Sequence, residues 1–245
     1  MNILALDTSM QACSVAVLTT DGSANRRMSA CYERRERGHA EHLMGMIDEA
    51  LTKSGLSIKQ IDQFAVCRGP GTFTGVRIGI AAARGLAMTC AKPLIGIGTL
   101  QVMAARARHE FKSQTNSALD DSDRNLGIAV DARRGELYWQ VFDQSGKAQT
   151  EPHALSPQAI CSAIEQHEEP LTLAGSGVAL IADLLREKSN EISCSHQDLQ
   201  PDAARLADIV AGFGADEDLS LHSASPLYLR PADAKIQTGY AIERQ

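Results

Sequence analysis

Apolar residues along this chain fall into two kinds of pattern: short unbroken runs, and stretches where they recur every three or four positions. The first run, Ile3-Leu4-Ala5-Leu6, ends at Asp7-Thr8-Ser9, and a second covers Cys13 to Leu18. Runs of this length bounded by turn residues predict buried strands. Asp21-Gly22 predicts a turn into a third strand over Ala24 to Arg34. Leu43, Met46, Ile47, Ala50 and Leu51 repeat at helical spacing and predict a helix over His39 to Lys53, stopped by Gly55. Phe64-Ala65-Val66-Cys67 predicts a strand, Ile80 to Cys90 a helix closed by Lys92, and Pro93 to Gly98 another strand. Thr99 reads as the N-cap of a helix running to about Phe111, and the polar stretch 112–124 as a linker or loop.

The opening pattern then returns. Leu126-Gly127-Ile128-Ala129-Val130-Asp131 is again an apolar run ending in Asp, about 124 residues after Asp7, and a strand over Glu136 to Phe142 and a Ser145-Gly146 turn follow it. A helix after Ser156-Pro157, a strand over Leu171 to Ala174, a helix, a short strand over Ile192 to Cys194 and an amphipathic helix over Pro201 to Phe213 complete the pattern, before an extended Ser225 to Pro231. A duplicated strand–strand–strand–helix unit predicts an α/β protein of two similar halves, 1–111 and 112–245, with the last helix packing back on the first half. That is the organisation of the actin/Hsp70/sugar-kinase architecture.

Between the strand at Phe64 and its helix lies Arg68-Gly69-Pro70-Gly71-Thr72-Phe73-Thr74-Gly75-Val76-Arg77-Ile78-Gly79. Glycine at a strand-to-helix turn permits positive φ and close approach of another backbone or of a phosphate. A P-loop requires Lys and then Ser or Thr after its last glycine, whereas Val76 and Arg77 follow Gly75. The dinucleotide fingerprint fails by one residue of spacing. Gly75, Gly79, Ala83 and Ala87 lie four apart on one helix face. This stripe predicts either a groove for a partner helix or tight packing within the chain.

Composition narrows the function classes. The 245 residues carry a formal charge of −6 and only 4% aromatics, which argues against a general nucleic-acid binder. Arg26, Arg27, Arg34, Arg35 and Arg37 form a local basic patch that leaves contact with nucleic-acid phosphates as a minor reading. The six cysteines form no C-x-x-C pair, which predicts reduced thiols in a cytoplasmic protein. No apolar run reaches 18 residues, so no membrane partner is expected. His39 and His42 are three apart, but no third ligand is fixed near them in the sequence. Neither a nucleophile elbow nor an H-E-x-x-H pattern is present.

The stretches Ile3 to Ser9, Cys13 to Ala16, His39 to Leu43, Arg68 to Gly79, Pro93 to Leu100, Asp131 to Tyr138 and Pro226 to Arg230 together resemble the TsaB (YeaZ) family of tRNA threonylcarbamoyladenosine biosynthesis proteins. One departure is Gly45, where the family often has Pro. The resemblance implies a non-catalytic relative of TsaD that binds and activates a TsaD-like catalytic subunit together with a TsaE-like ATPase, pairs with itself when alone, and meets tRNA only through the complex. TsaD binds its metal through two histidines, and these positions fall on Thr99 and Met103 here, so no metal and no catalytic residue are expected. His39, His42, Leu43, Met46, Ile47, Gly75, Arg77, Gly79, Ala83 and Arg84 are the expected partner surface. Asp7, Thr8, Ser9, Asp131, Arg133, Gly175 and Gly177 are weaker nucleotide-facing candidates. Ser9 and Arg133 stand where actin-like folds place a glycine to face phosphate. No cofactor is therefore expected on the chain alone, with ATP or ADP entering at an interface shared in the complex. The competing reading is a free-standing sugar-kinase-like phosphotransferase or peptidase using Asp7 and Asp131.

Overall fold

The structure, a computed structural model, describes residues 1–21, 25–35, 37–113, 124–186, 192–195, 198–213 and 218–230. In the first half, β1 (Asn2–Asp7) pairs antiparallel with β2 (Ala12–Thr20), which pairs with β3 (Arg26–Arg34). On the other side β1 pairs parallel with β4 (Gln63–Cys67), and β4 with β5 (Leu94–Ile97). The sheet order is β3-β2-β1-β4-β5. The second half repeats it with β6 (Asn125–Asp131), β7 (Leu137–Phe142), β8 (His153–Leu155), β9 (Leu171–Ala174) and β10 (Ile192–Ser195), in the order β10-β9-β6-β7-β8. Each half is a three-stranded meander followed by two parallel strands, so the duplication read from the two Asp-ending runs is real in three dimensions. β8, three residues long, has no pattern of its own to mark it.

The helices are α1 (His39–Ser54), α2 (Phe73–Cys90), α3 (Thr99–Ser113), α4 (Pro157–Glu165), α5 (Val178–Arg186) and α6 (Ala203–Ala211). α2 begins seven residues earlier than the Ala-rich run suggested, because the Thr72 hydroxyl accepts from Gly75 N and starts the helix inside the glycine stretch. Thr99 is the first helical residue of α3 rather than a cap. Gly22 of the expected Asp21-Gly22 turn and residues 114–123 of the expected linker lie outside the described residues.

Alternation along the strands sends side chains to two faces of each sheet. Leu4, Leu6, Val15, Val17, Phe64 and Val66 meet α1 and α2. Ile3, Ala5, Ala16, Leu18, Ala65 and Ile95 face the other way and meet Val102 of α3 and Ala203, Leu206, Ala207 and Val210 of α6. On the second sheet, Trp139, Val141, Leu171 and Leu173 meet α4 and α5. Its opposite face, with Leu126, Ile128 and Val130, packs on Leu100, Met103, Ala104 and Ala107 of α3. α3 and α6 therefore form a layer between the two sheets, with a helix pair outside each sheet. This is the actin/sugar-kinase architecture.

Candidate functional site

β1 and β6 both end in an Asp turn, and the two turns differ sharply. Asp7, Thr8 and Ser9 are buried. Asp7 Oδ1 accepts from Ser9 N at 3.1 Å and from Ser9 Oγ at 2.6 Å, while Oδ2 is buried without a hydrogen-bond partner. Burial holds the Asp7 carboxyl above its ordinary pKa against the lowering pull of the Ser9 bonds. The nearby thiols follow: burial and the Asp7 charge push Cys13 up to about 12 and Cys67 well above its usual value. These are inert structural thiols. Asp131 is exposed, takes Ser176 Oγ on its own backbone N–H at 3.1 Å, and accepts from Arg133 N at 2.7 Å.

The glycine turn is built around the first Asp turn. A methyl group at Gly71 would sit 2.3 Å from Ser9 O, and one at Gly75 only 2.1 Å from Thr8 O. One at Gly79 would sit 2.7 Å from Thr8 Oγ1. Thr8 Oγ1 donates to Gly75 O at 2.7 Å, and Thr72 N donates to Ser9 O at 2.8 Å. The glycines exist so that α2 can lie against the end of β1. The expected partner groove over Gly75, Gly79, Ala83 and Ala87 is thus corrected: the stripe faces inward, against the end of β1 at the two glycines and into the apolar core at the two alanines. Leu43, Met46 and Ile47 are likewise buried in the core beneath α1.

The reading of Asp7, Thr8 and Ser9 as nucleotide-facing is corrected by the same packing, since a sealed carboxylate cannot reach a ligand. Gly175 and Gly177 repeat the device in the second half. Methyl groups there would meet Ala129 O at 2.3 Å and Leu137 at 2.8 Å, so these glycines serve strand packing instead of a phosphate. Two open clefts, of about 470 and 490 Å³, lie at the far end of α2 and between α3 and α6, and neither is lined by Asp7 or Asp131.

The outer face of α2 is exposed, with Tyr228 lying over its first turn against Phe73 and Arg77. Phe73, Arg77, Ala81, Arg84, Gly85 and Met88 are exposed, Met88 to 76%. Nothing lies within 4 Å of a methyl placed on Gly85, nor of one on Gly45 of the neighbouring α1. His42 and Met44 of α1 are exposed as well, while His39 is half-buried with its Nε2 lacking a hydrogen-bond partner. The pattern that would have located this face is the complement of the stripe: Phe73, Arg77, Ala81, Gly85 and Met88, also at helical spacing. Of the arginines on and just after β3, Arg26 pairs with Asp208, Arg34 with Asp198 and Arg35 with Glu33, which weakens the case for a tRNA-binding patch there.

Thr99 and Met103, at the positions where a metal-binding relative would carry histidines, are fully buried. Thr99 Oγ1 lies 3.2 Å from Ser9 Oγ and Thr99 N donates to Gly69 O at 2.8 Å, while Met103 sits in the apolar layer between the sheets. A hydroxyl already paired and a thioether in a dry core do not fit a divalent metal.

Comparison with known proteins gives the relatives of this arrangement. A family model described as TsaD, tRNA N6-adenosine threonylcarbamoyltransferase, matches residues 33–236. The tRNA threonylcarbamoyladenosine biosynthesis protein TsaB of Escherichia coli K12 is 34% identical over 235 residues, covering 94% of this chain and 95% of the relative. YeaZ from Pseudomonas aeruginosa superposes with a TM-score of 0.73 at 30% identity, covering 93% of this chain and 99% of that one.

Proposed function

From the premise that the chain belongs to the TsaB family, we propose that it is a non-catalytic subunit for forming threonylcarbamoyladenosine in tRNA. In this reading it binds a TsaD-like catalytic subunit, holds it in its working form and helps recruit a TsaE-like ATPase. The observation that carries the proposal is that Thr99 and Met103 are both fully buried, Thr99 paired at the glycine turn and Met103 in the dry apolar layer, and neither can hold a metal. The outer faces of α1 and α2 are the docking surface, with Phe73, Arg77, Ala81, Arg84 and Met88 on α2 and His42, Met44 and Gly45 on α1. The same surface pairs two copies of the chain when the partner is absent. The chain holds no nucleotide by itself; ATP or ADP enters at a surface shared with the partner, and tRNA is met only through the complex, in the cytoplasm. The free-standing kinase or peptidase reading loses support because Asp7, one of its two acids, is sealed.

The test is direct. The purified chain incubated with threonylcarbamoyl-adenylate and tRNA is expected to yield no modified nucleoside by mass spectrometry, and adding the chain to a TsaD-like subunit is expected to raise that subunit's yield. Turnover by the isolated chain would overturn the reading.

A further inference from the structure

We infer that residues 222–230 form a strap that ties the rims of the two halves together and sets how far they stand apart, with Arg230 as its latch. The segment begins on the first half. His222 O accepts from Gly96 N at 2.8 Å, so the strap runs along β5, the edge strand of the first sheet. It lies so close that a methyl on Gly96 would sit 2.5 Å from Ser223 O. Farther on, Leu227 N donates to Arg68 O at 2.7 Å, and Leu227 O would lie 2.8 Å from a methyl on Gly69. Tyr228 then stacks on Phe73 with ring centroids 5.6 Å apart, and its hydroxyl accepts from Arg77 Nε at 2.7 Å. The strap is thus bound to the glycine turn and to the start of α2.

Two residues later the strap reaches the second half. Arg230 Nη2 donates to Arg133 O at 3.0 Å, the guanidinium forms an ion pair with Glu136 (Nε to Oε2, 2.6 Å) without a hydrogen bond at Nε, and it stands 5.8 Å from the Tyr138 ring centre. The turn it grips is costly in backbone terms. Arg133, Arg134 and Gly135 have φ of 62°, 61° and 77°, a left-handed run that two non-glycine residues adopt only when their surroundings hold them there. The guanidinium holds the turn through one donated hydrogen bond to the Arg133 carbonyl and through its charge beside the Glu136 carboxylate. Elsewhere the halves are joined through α3, whose Leu100, Met103 and Ala107 pack against Leu126, Ile128 and Val130. Packing along α3 and a tie between the turns at the strand ends together convert two lobes into one body with a fixed spacing.

The experiment places spin labels, as unnatural amino acids, at exposed Lys59 in the first half and exposed Glu168 in the second. Distances between them are measured in the full chain by double electron–electron resonance. The wild type is expected to show one narrow distribution. Arg230→Ala is expected to broaden and shift it while melting near the wild type, because a partly exposed ion pair contributes little to global stability. Arg230→Lys is expected to fall between them, since it keeps the charge beside Glu136 but loses the planar Nη2 donor to the Arg133 carbonyl. A distribution for Arg230→Ala that superimposes on the wild type would overturn the proposal. So would broadening that appears only with a collapse in melting temperature, since that would reflect general loosening.

Discussion

Burial raises the pKa of the Asp7 carboxyl inside the first half, and its titration has a definite consequence for stability. Its native pKa is raised above the ordinary value of 3.8 by burial, so the folded chain keeps this proton to a higher pH than the unfolded chain does. The stability it contributes is complete below the unfolded value and declines as pH climbs through the raised one. Asp7→Asn keeps the shape and the acceptor for Ser9 but cannot ionise. Its melting temperature is expected to exceed that of the wild type by several degrees at pH 8, roughly 2–4 °C per kcal/mol at this chain length. The advantage should shrink toward pH 4, as calorimetry across that range would show; an advantage independent of pH would contradict the assignment. The sequence showed an Asp ending each of two like strands, and the two acids look interchangeable there. Only the packing of Gly71 and Gly75 against Thr8 and Ser9 separates the sealed one from the exposed one.

At the scale of the element, α2 has two faces with opposite tolerances. Gly75→Ala would force a methyl to 2.1 Å from Thr8 O, and overpacking of this kind costs about 1–3 kcal/mol. Gly85→Ala, on the outer face with nothing within 4 Å, should gain up to about 1 kcal/mol from helix propensity. Urea midpoints for the two variants are expected to move in opposite directions. The same contrast tests the docking face: Ala81→Arg should fold with an unchanged midpoint and fail to co-elute with a TsaD-like partner on size exclusion. Retained co-elution would move the interface elsewhere. Helical periodicity made α2 visible from its sequence, and its small residues were visible as a stripe. Which stripe faced inward was not, because a glycine packed against a backbone carbonyl and a glycine in open solvent leave the same mark in a sequence.

For the whole molecule, the apolar layer around α3 is expected to make the halves unfold as one cooperative unit. Met103 is fully buried between the sheets with Leu100, Leu126 and Ile128. Met103→Ala is expected to cost about 2–5 kcal/mol through the cavity it leaves, and to lower the melting of both halves together in one calorimetric transition. Two separated transitions in the wild type would show that the layer does not couple them. α6 belongs to the same account: it returns to cover the first sheet, where Ala203, Leu206 and Val210 meet Ile3 and Ile95.

The sequence alone determined the duplication, the strand and helix types, the glycine turn and the family, because all of these are written in local pattern and in short contiguous motifs. Period-two and period-3.6 burial survive in a one-dimensional record, and so does a run such as Arg68 to Gly79. The tertiary structure decided which residues are reachable. It buried Asp7, filled the Gly75–Gly79 stripe with the end of β1, paired the β3 arginines with carboxylates more than 160 residues away, and carried Arg230 to Glu136. Each of these outcomes depends on groups distant in sequence arriving at one point, and no local pattern records what lies opposite a side chain.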